Sequence, residues 1–279
     1  MLKLIKIELY KIFRKWRTYI GFIAVSIIAI LVQLAMGLGG AEQQIEYMTR
    51  DLQDTFYFVG NFFNGYFIAY IVLQSLYVQI PFLIVLVGGD LLAGEATAGT
   101  YRMLVTRPVS RFQIVTSKII AGYIYSLALI FWLVIMSLVL SIIIFGTGEL
   151  LVFKDVLIVL SSNDILWRFL LAYFFAGLSM CVVFSLSFLF SSLVENAIGP
   201  IVATMAVIIV FLILSVIPVD SINNIKPMLF TTHMTTWNEF FNSPVNYSEI
   251  FKSILVLVFH CVGLYALTLY IFNKKDILS

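Results

Sequence analysis

Very few side chains in this sequence could do chemistry. Ser179, in the run Gly177-Leu178-Ser179-Met180, and His260, close to Gly263, come nearest to a nucleophile and a base. A serine is activated only by a base within hydrogen-bond reach. Both residues lie inside long apolar runs, and counted from the same face their depths differ by roughly 5 to 10 Å at 1.5 Å per helical residue. The second apolar run offers no His or Asn to stabilise an oxyanion. His233 is far from His260 in sequence and there is no H-E-x-x-H, so no metal-ligand spacing is present. Cys181 and Cys261 both sit in apolar runs, where cysteine behaves as a small hydrophobe, and neither a disulfide framework nor a zinc site is indicated. A phosphate-cradling G-x-x-x-x-G-K-[ST] loop is absent; Lys252-Ser253 lacks the glycines it would need. Energy from ATP would have to come from another polypeptide.

The elements that carry these residues are set by composition. Apolar residues make up 62% of the 279 and charged ones 11%, against about a quarter charged in soluble domains. The net charge of +2 is too balanced to suggest a nucleic-acid partner. Runs free of Asp, Glu, Lys and Arg cover approximately Tyr19–Leu38, Tyr66–Val87, Ile119–Phe145, Phe169–Phe190, Asn196–Pro218 and Ser253–Phe272. Runs of this length satisfy their own backbone in lipid only as helices. The chain therefore reads as an all-α membrane protein, a single transmembrane domain over residues 1–279 with six spans and no soluble domain. The first run is longer than a signal-peptide core and five more follow it. Ionisable groups inside the spans are limited to His260, beside the neutral Gln33, Gln74 and Gln79.

Orientation follows from Lys and Arg. With the N-terminus inside, twelve basic residues fall on the cytoplasmic side and five, beside ten acidic residues, on the other, which predicts both termini in the cytoplasm. Residues 1–17 alternate apolar and basic at helical spacing, with Leu2, Ile5, Leu9, Ile12, Phe13 and Trp16 on one stripe, as in an interfacial helix. In the segment 88–118, Thr100 can cap a two-turn helix carrying Tyr101, Met103, Leu104 and Val105 that stops before Pro108. Ser110 and Gln113 then form a capping-box pair that opens a helix running into the third span. The connection 219–252, rich in Phe, Trp and Tyr, reads as one or two short helices at the outer leaflet.

The stretch G-E-A-T-A-G-T-Y-R-M-L-V-T-R-P-V-S-R-F-Q-I-V-T-S-K resembles the permease subunits of ABC-2-type ATP-binding-cassette transporters. The matching positions are Glu95, Gly99 and Thr100, Met103 and Leu104, Pro108 with Ser110 and Arg111, and Lys118. The amphipathic N-terminus, six spans and the aromatic connection extend the likeness over essentially the whole chain. The resemblance implies that Glu95, Gly99, Thr100, Tyr101, Arg102, Met103, Leu104, Arg107, Pro108 and Arg111 form a coupling segment seated on a partner ATPase. It also implies a second copy or a homologous permease completing the pore, and residence in a bacterial inner membrane. ATP and Mg would bind the partner ATPase, with no cofactor on this chain. An interior without charge suits an amphiphilic cargo such as a peptide, drug or lipid-like molecule. Two other readings stand beside it. A secondary transporter or channel could use Pro81, Gly199 and Pro200 as helix breaks, and a rhomboid-like intramembrane serine protease could use Ser179 and His260.

The charge asymmetry makes a direct prediction. In a background lacking Cys181 and Cys261, cysteines placed at Asp54, Glu149 and Asn242 are expected to react with an impermeant thiol reagent added to intact cells. Cysteines at Thr97 and Lys275 are expected not to react, and labelling at Thr97 would reverse the orientation.

Overall fold

The computed structural model describes residues 1–50, 62–99, 109–153, 157–218 and 223–274. The predicted helix 100–107, with Pro108 behind it, lies outside the described residues. Among the described residues, six helical stretches are long and apolar enough to cross a membrane: Trp16–Tyr47, Ile80–Thr97, Arg111–Phe145, Ser162–Leu193, Ile198–Val216 and Tyr247–Lys274. This is the architecture of a multi-pass membrane protein.

The chain opens with α1 (Leu2–Arg14), which ends where Lys15 turns extended, and α2 (Trp16–Ala35) follows at once. The Thr18 hydroxyl donates to the Ile12 carbonyl across that corner. The apolar stripe read along α1 divides: Ile12 is buried and Leu9 and Phe13 pack against the core, whereas Leu2 and Trp16 are exposed. A π-turn, Met36–Gly40, leads to α3 (Ala41–Thr49).

The second predicted span is two helices, α4 (Gly65–Tyr77) and α5 (Ile80–Gly88). Pro81, in the first turn of α5, has no N–H for the Tyr77 carbonyl, and its ring clashes with that carbonyl in a continuous helix. Asn64 caps α4 by accepting from the Tyr66 and Phe67 amides at 3.0 and 3.2 Å, and donates to the Glu149 carbonyl at 2.7 Å. From α5 the chain passes through Gly89 into α6 (Asp90–Thr97). Gly99, with φ of 66°, turns the backbone out of α6 in the left-handed region that glycine adopts without strain.

The helix α7 (Arg111–Val134) starts at the capping box predicted for it, with reciprocal Ser110 and Gln113 bonds both at 3.2 Å. A π-turn, Ile135–Val139, joins it to α8 (Leu140–Phe145). Such a turn displaces carbonyls from the regular ladder. Gln33 of α2 answers one, its Nε2 donating to the Met136 carbonyl at 2.7 Å and to Ser141 Oγ at 3.0 Å. Beyond Gly146 a short antiparallel hairpin, β1 (Leu150–Phe153) and β2 (Leu157–Leu160), pairs Leu150 with Leu160 and Phe153 with Leu157. The hairpin is absent from the sequence-based reading.

The longest central element is α9 (Leu166–Leu193), most of whose residues are buried. It packs against α5, α6, α7, α10 (Ile198–Val216) and α12 (Tyr247–Lys274). Its serines fasten the α5–α6 corner: Ser187 Oγ donates to the Val85 carbonyl at 3.2 Å, and Ser191 Oγ donates to the Gly89 carbonyl at 2.6 Å. Ser191 Oγ also accepts from the Leu92 and Ala93 amides at 3.1 and 2.9 Å. Small hydroxyls suit this task because they bond to backbone without holding helices apart.

The connection between α10 and α12 contains short helices, as predicted: α11 (Phe230–Met234) continues into a 3-10 turn, Thr235–Phe241. Its aromatic side chains turn inward. Trp237 and Phe241 are buried with ring centroids 5.9 and 5.1 Å from Tyr70, and Phe241 meets Phe169 at 4.9 Å. Arg168, at the start of α9, holds the segment by donating to the Phe240 and Asn242 carbonyls at 2.9 and 2.7 Å while pairing with Asp164 at 2.6 Å. Tyr247 and Phe251 remain exposed.

The contact between α7 and α9 depends on Gly122, where an added Cβ would lie 1.7 Å from Cζ of Phe184. Phe184 is buried and stacked on Phe188, so the ring cannot swing clear. Gly122→Ala is expected to destabilise the purified protein by about 1–3 kcal/mol, read as a lower thermal midpoint in detergent. Phe184→Leu in the same chain is expected to restore part of that loss, which a non-specific effect of the alanine would not allow.

Candidate functional site

The clustered charge in this otherwise apolar structure lies where α1, α6 and α7 meet. Glu8 and Lys11 stand one turn apart on α1 and bond at 2.8 Å. On α6, Asp90 and Glu95 are five residues apart, which turns them about 140° from one another at 3.6 residues per turn. Glu95 therefore faces α1 and α7, and Asp90 faces the corner between α1 and α2. Glu95 Oε1 takes Lys11 at 2.9 Å and Lys118 at 2.8 Å. Lys118, with a side chain only 1% exposed, also bonds Glu8 Oε2 at 2.7 Å. Asp90 binds Lys15 at 2.7 Å and Arg17 at 3.1 Å. Gly94 leaves room for this carboxylate, because a Cβ there would lie 2.3 Å from Asp90 Oδ1.

Buried charges are costly unless each is answered by an opposite charge with good geometry. Here Glu8 and Glu95 share two lysines, and a closed set of bonds ties three helices together. Burial pushes the Glu8 carboxyl up, but the charges and hydrogen bonds of Lys118 and Lys11 outweigh it and hold Glu8 below its ordinary value. Burial pushes the Lys11 ammonium down, but its bonds to Glu8 and Glu95 prevail and hold it above its ordinary value. Both groups are thus kept charged around neutrality. The arrangement is suited to holding helices in register and to conveying displacement between them.

Of the residues predicted to form a coupling segment, Glu95 enters this network and Gly99 ends the helix that carries it. Arg111, first in α7, donates to the Phe272 and Asn273 carbonyls at 3.0 and 2.8 Å, so it secures the C-terminal end of α12. Thr100, Tyr101, Arg102, Met103, Leu104, Arg107 and Pro108 lie outside the described residues. Sequence reasoning missed Glu8, Lys11, Lys15, Arg17, Asp90 and Lys118 as a unit. One signal was available: Glu8 is the single acid among the first 41 residues, set in a basic helix.

Ser179 and His260 do not pair. Ser179 Oγ donates to the Phe175 carbonyl at 3.1 Å, and His260 Nδ1 lies 2.8 Å from the Val256 carbonyl, each on its own helix. The structure instead places His233 Nδ1 2.8 Å from Ser253 Oγ, with Nε2 2.8 Å from the Pro227 carbonyl and Thr236 Oγ1 2.9 Å from the same serine. All three side chains are buried, and the set pins α11 and its following turn to α12. Among the described residues no group of three or more His, Cys, Asp or Glu could hold a metal ion.

Residues 16–278 match the profile of a family described as a protein of unknown function, DUF2705. The chain belongs to this family. The matched stretch includes Arg17, Asp90, Glu95 and Lys118, while Glu8, Lys11 and Lys15 precede it. The chain is also similar to the uncharacterized protein YhcI of Bacillus subtilis (strain 168), at 29% identity over 119 residues. That similarity covers 40% of this chain and 37% of the relative.

The sign of the Glu8 shift fixes its pH dependence. A carboxyl whose folded pKa lies below its unfolded value, about 4.3 for Glu, stabilises fully above that value and loses the contribution as pH falls through the folded pKa. Glu8→Gln is expected to destabilise the protein at pH 7 by on the order of 1–3 kcal/mol, read as a lower thermal midpoint, and to flatten the acid limb below about pH 4.5. Equal acid slopes for the two proteins would show that folding does not lower the Glu8 pKa.

Proposed function

We propose that this protein is the membrane-spanning permease subunit of an ABC-2-type ATP-binding-cassette transporter, paired with a second permease and driven by a separate ATPase. The chain would lie in a bacterial inner membrane with both termini in the cytoplasm, residues 1–17 along the interface, and would export an amphiphilic molecule such as a peptide, drug or lipid-like compound. The observation that carries this reading is the Glu95–Lys118 pair at 2.8 Å. These two residues flank the segment that the resemblance makes the coupling element, and each is joined to Glu8 or Lys11 on α1. A push on a segment bracketed in this way reaches α1, α6 and α7 together, because none of the three can shift without breaking a buried ion pair. The six apolar helices and the resemblance of residues 94–118 add to the reading.

In the coupling role, Tyr101, Met103 and Leu104 supply apolar area to the ATPase, and Arg102 and Arg107 set orientation at the rim. Leu104→Asp is expected to bury an unpaired charge there. The result is loss of ATPase co-purification and transport with unchanged membrane insertion, whereas Arg102→Ala does less. Full co-purification and substrate-stimulated turnover in Leu104→Asp would overturn the proposal.

A further inference from the structure

A cavity of about 580 Å3 opens between α1, the start of α2, the α5–α6 corner and α7. Leu4, Ile7, Leu86, Leu91 and Ile114 give it apolar walls. Three carboxylates (Glu8, Asp90 and Glu95) line it together with five cations, Lys11, Arg14, Lys15, Arg17 and Lys118. Each carboxylate already accepts from two of those cations. The lining therefore carries an excess of two positive charges. Arg14 holds one of the two: among the described residues its guanidinium makes no ion pair and lies 6.0 Å from the centroid of the Tyr10 ring. The side chains of Lys15 and Arg17 are 46% and 51% exposed and keep donors free beyond Asp90.

We propose that this cavity binds an anionic phospholipid, Arg14 with Lys15 and Arg17 taking the headgroup phosphate and the apolar wall taking the first part of the acyl chains. Three properties select that ligand. The volume is in the usual range for small-molecule sites, about 300–1,000 Å3. The charge excess calls for an anion, and a zwitterionic lipid would leave it uncompensated. The apolar wall calls for an amphiphile, since a free phosphate would leave Leu86 and Ile7 facing water. Location agrees: exposed Tyr10, Trp16 and Tyr19 beside the cavity are of the type enriched at the headgroup level. The lipid would fasten α1 to the bundle beside the buried ion pairs, which line the same cavity. The inference does not rest on the transport reading.

The test uses the full chain purified in neutral detergent and titrated with phosphatidylglycerol, with phosphatidylcholine of the same chains, and with inorganic phosphate. Binding is followed by thermal midpoint and by native mass spectrometry. Phosphatidylglycerol is expected to raise the midpoint saturably with one lipid retained, and the other two probes to leave it unchanged at equal concentration. Arg14→Gln is expected to weaken the lipid about fivefold, the effect of one cation at an anionic surface. Ile7→Glu, which puts a carboxylate on a half-exposed wall position, is expected to weaken it at least as much and decides the matter if Arg14→Gln does not fold. Lys252→Gln, remote from the cavity, is expected to bind as the wild type does. Equal affinity in wild type and both cavity variants, equal protection by phosphatidylcholine, or equal protection by inorganic phosphate would each overturn the proposal.

Discussion

A lysine shut away from solvent dictates how this end of the molecule is built. Lys118 could have met the apolar interior as an unpaired charge only at a cost of several kcal/mol. The chain instead brings two carboxylates to it from helices that precede it by 110 and 23 residues, Glu8 on α1 and Glu95 on α6. With that demand met, α1 cannot detach as a free amphipathic segment, α6 cannot rotate about its axis, and α7 starts at a defined height. Lys11 joins both carboxylates and closes the set. Elsewhere among the described residues the long helices meet chiefly through apolar packing, serine hydroxyls and the Gln33 amide.

The second organising device is the row of serines on α9. In water a serine at a helix contact competes with solvent, but in a low-dielectric interior it has only backbone to bond. Ser187 and Ser191 reach the carbonyls and amides of the α5–α6 corner, where Gly88 lets α9 come close and Gly89 lets Ile201 of α10 do so. The opposite end of α9 is fixed by Arg168, which gathers the carbonyls left open where the 3-10 turn ends at Phe241. One rod therefore carries both a corner made of glycine and serine and a corner made of arginine and carbonyl.

Much of this fold is legible in the sequence where one local rule decides. Uninterrupted apolar runs gave the positions of five of the six long helices, the second being displaced from Tyr66–Val87 to Ile80–Thr97, and Ser110 with Gln113 gave the start of α7 to the residue. The rule fails where a decision is made at long range. Pro81 was visible as a possible break, yet whether a proline kinks a helix or splits it depends on the neighbours that take up the freed backbone. The aromatic residues of the 219–252 connection marked a membrane-level segment, but rings that favour the interface also pack well on Tyr70 and Phe169, and only the fold chooses. Both strands of the hairpin, Leu150–Phe153 and Leu157–Leu160, are apolar, a pattern shared by a strand pair and by a failed span. The ion network was illegible as a unit because its members come from three parts of the chain, and a count of charges by side treats each as a separate topological marker.

The split at Pro81 restricts which parts of the protein can meet lipid. The Tyr77 carbonyl has lost its usual amide partner at a level where hydrocarbon offers no substitute. Tyr77 and Ile80 are both buried, so the surrounding protein serves as solvent for the broken ladder. The α4–α5 pair is thereby committed to the interior, and peeling it outward would place an open peptide group in oil. The outer faces of α2, α10 and α12 carry no such liability, since their ladders are unbroken and their exposed residues are mostly apolar, with Trp, Tyr and the few charges near their ends. Sliding against lipid, or against another apolar surface, is open to those three helices and closed to the fractured pair at the centre.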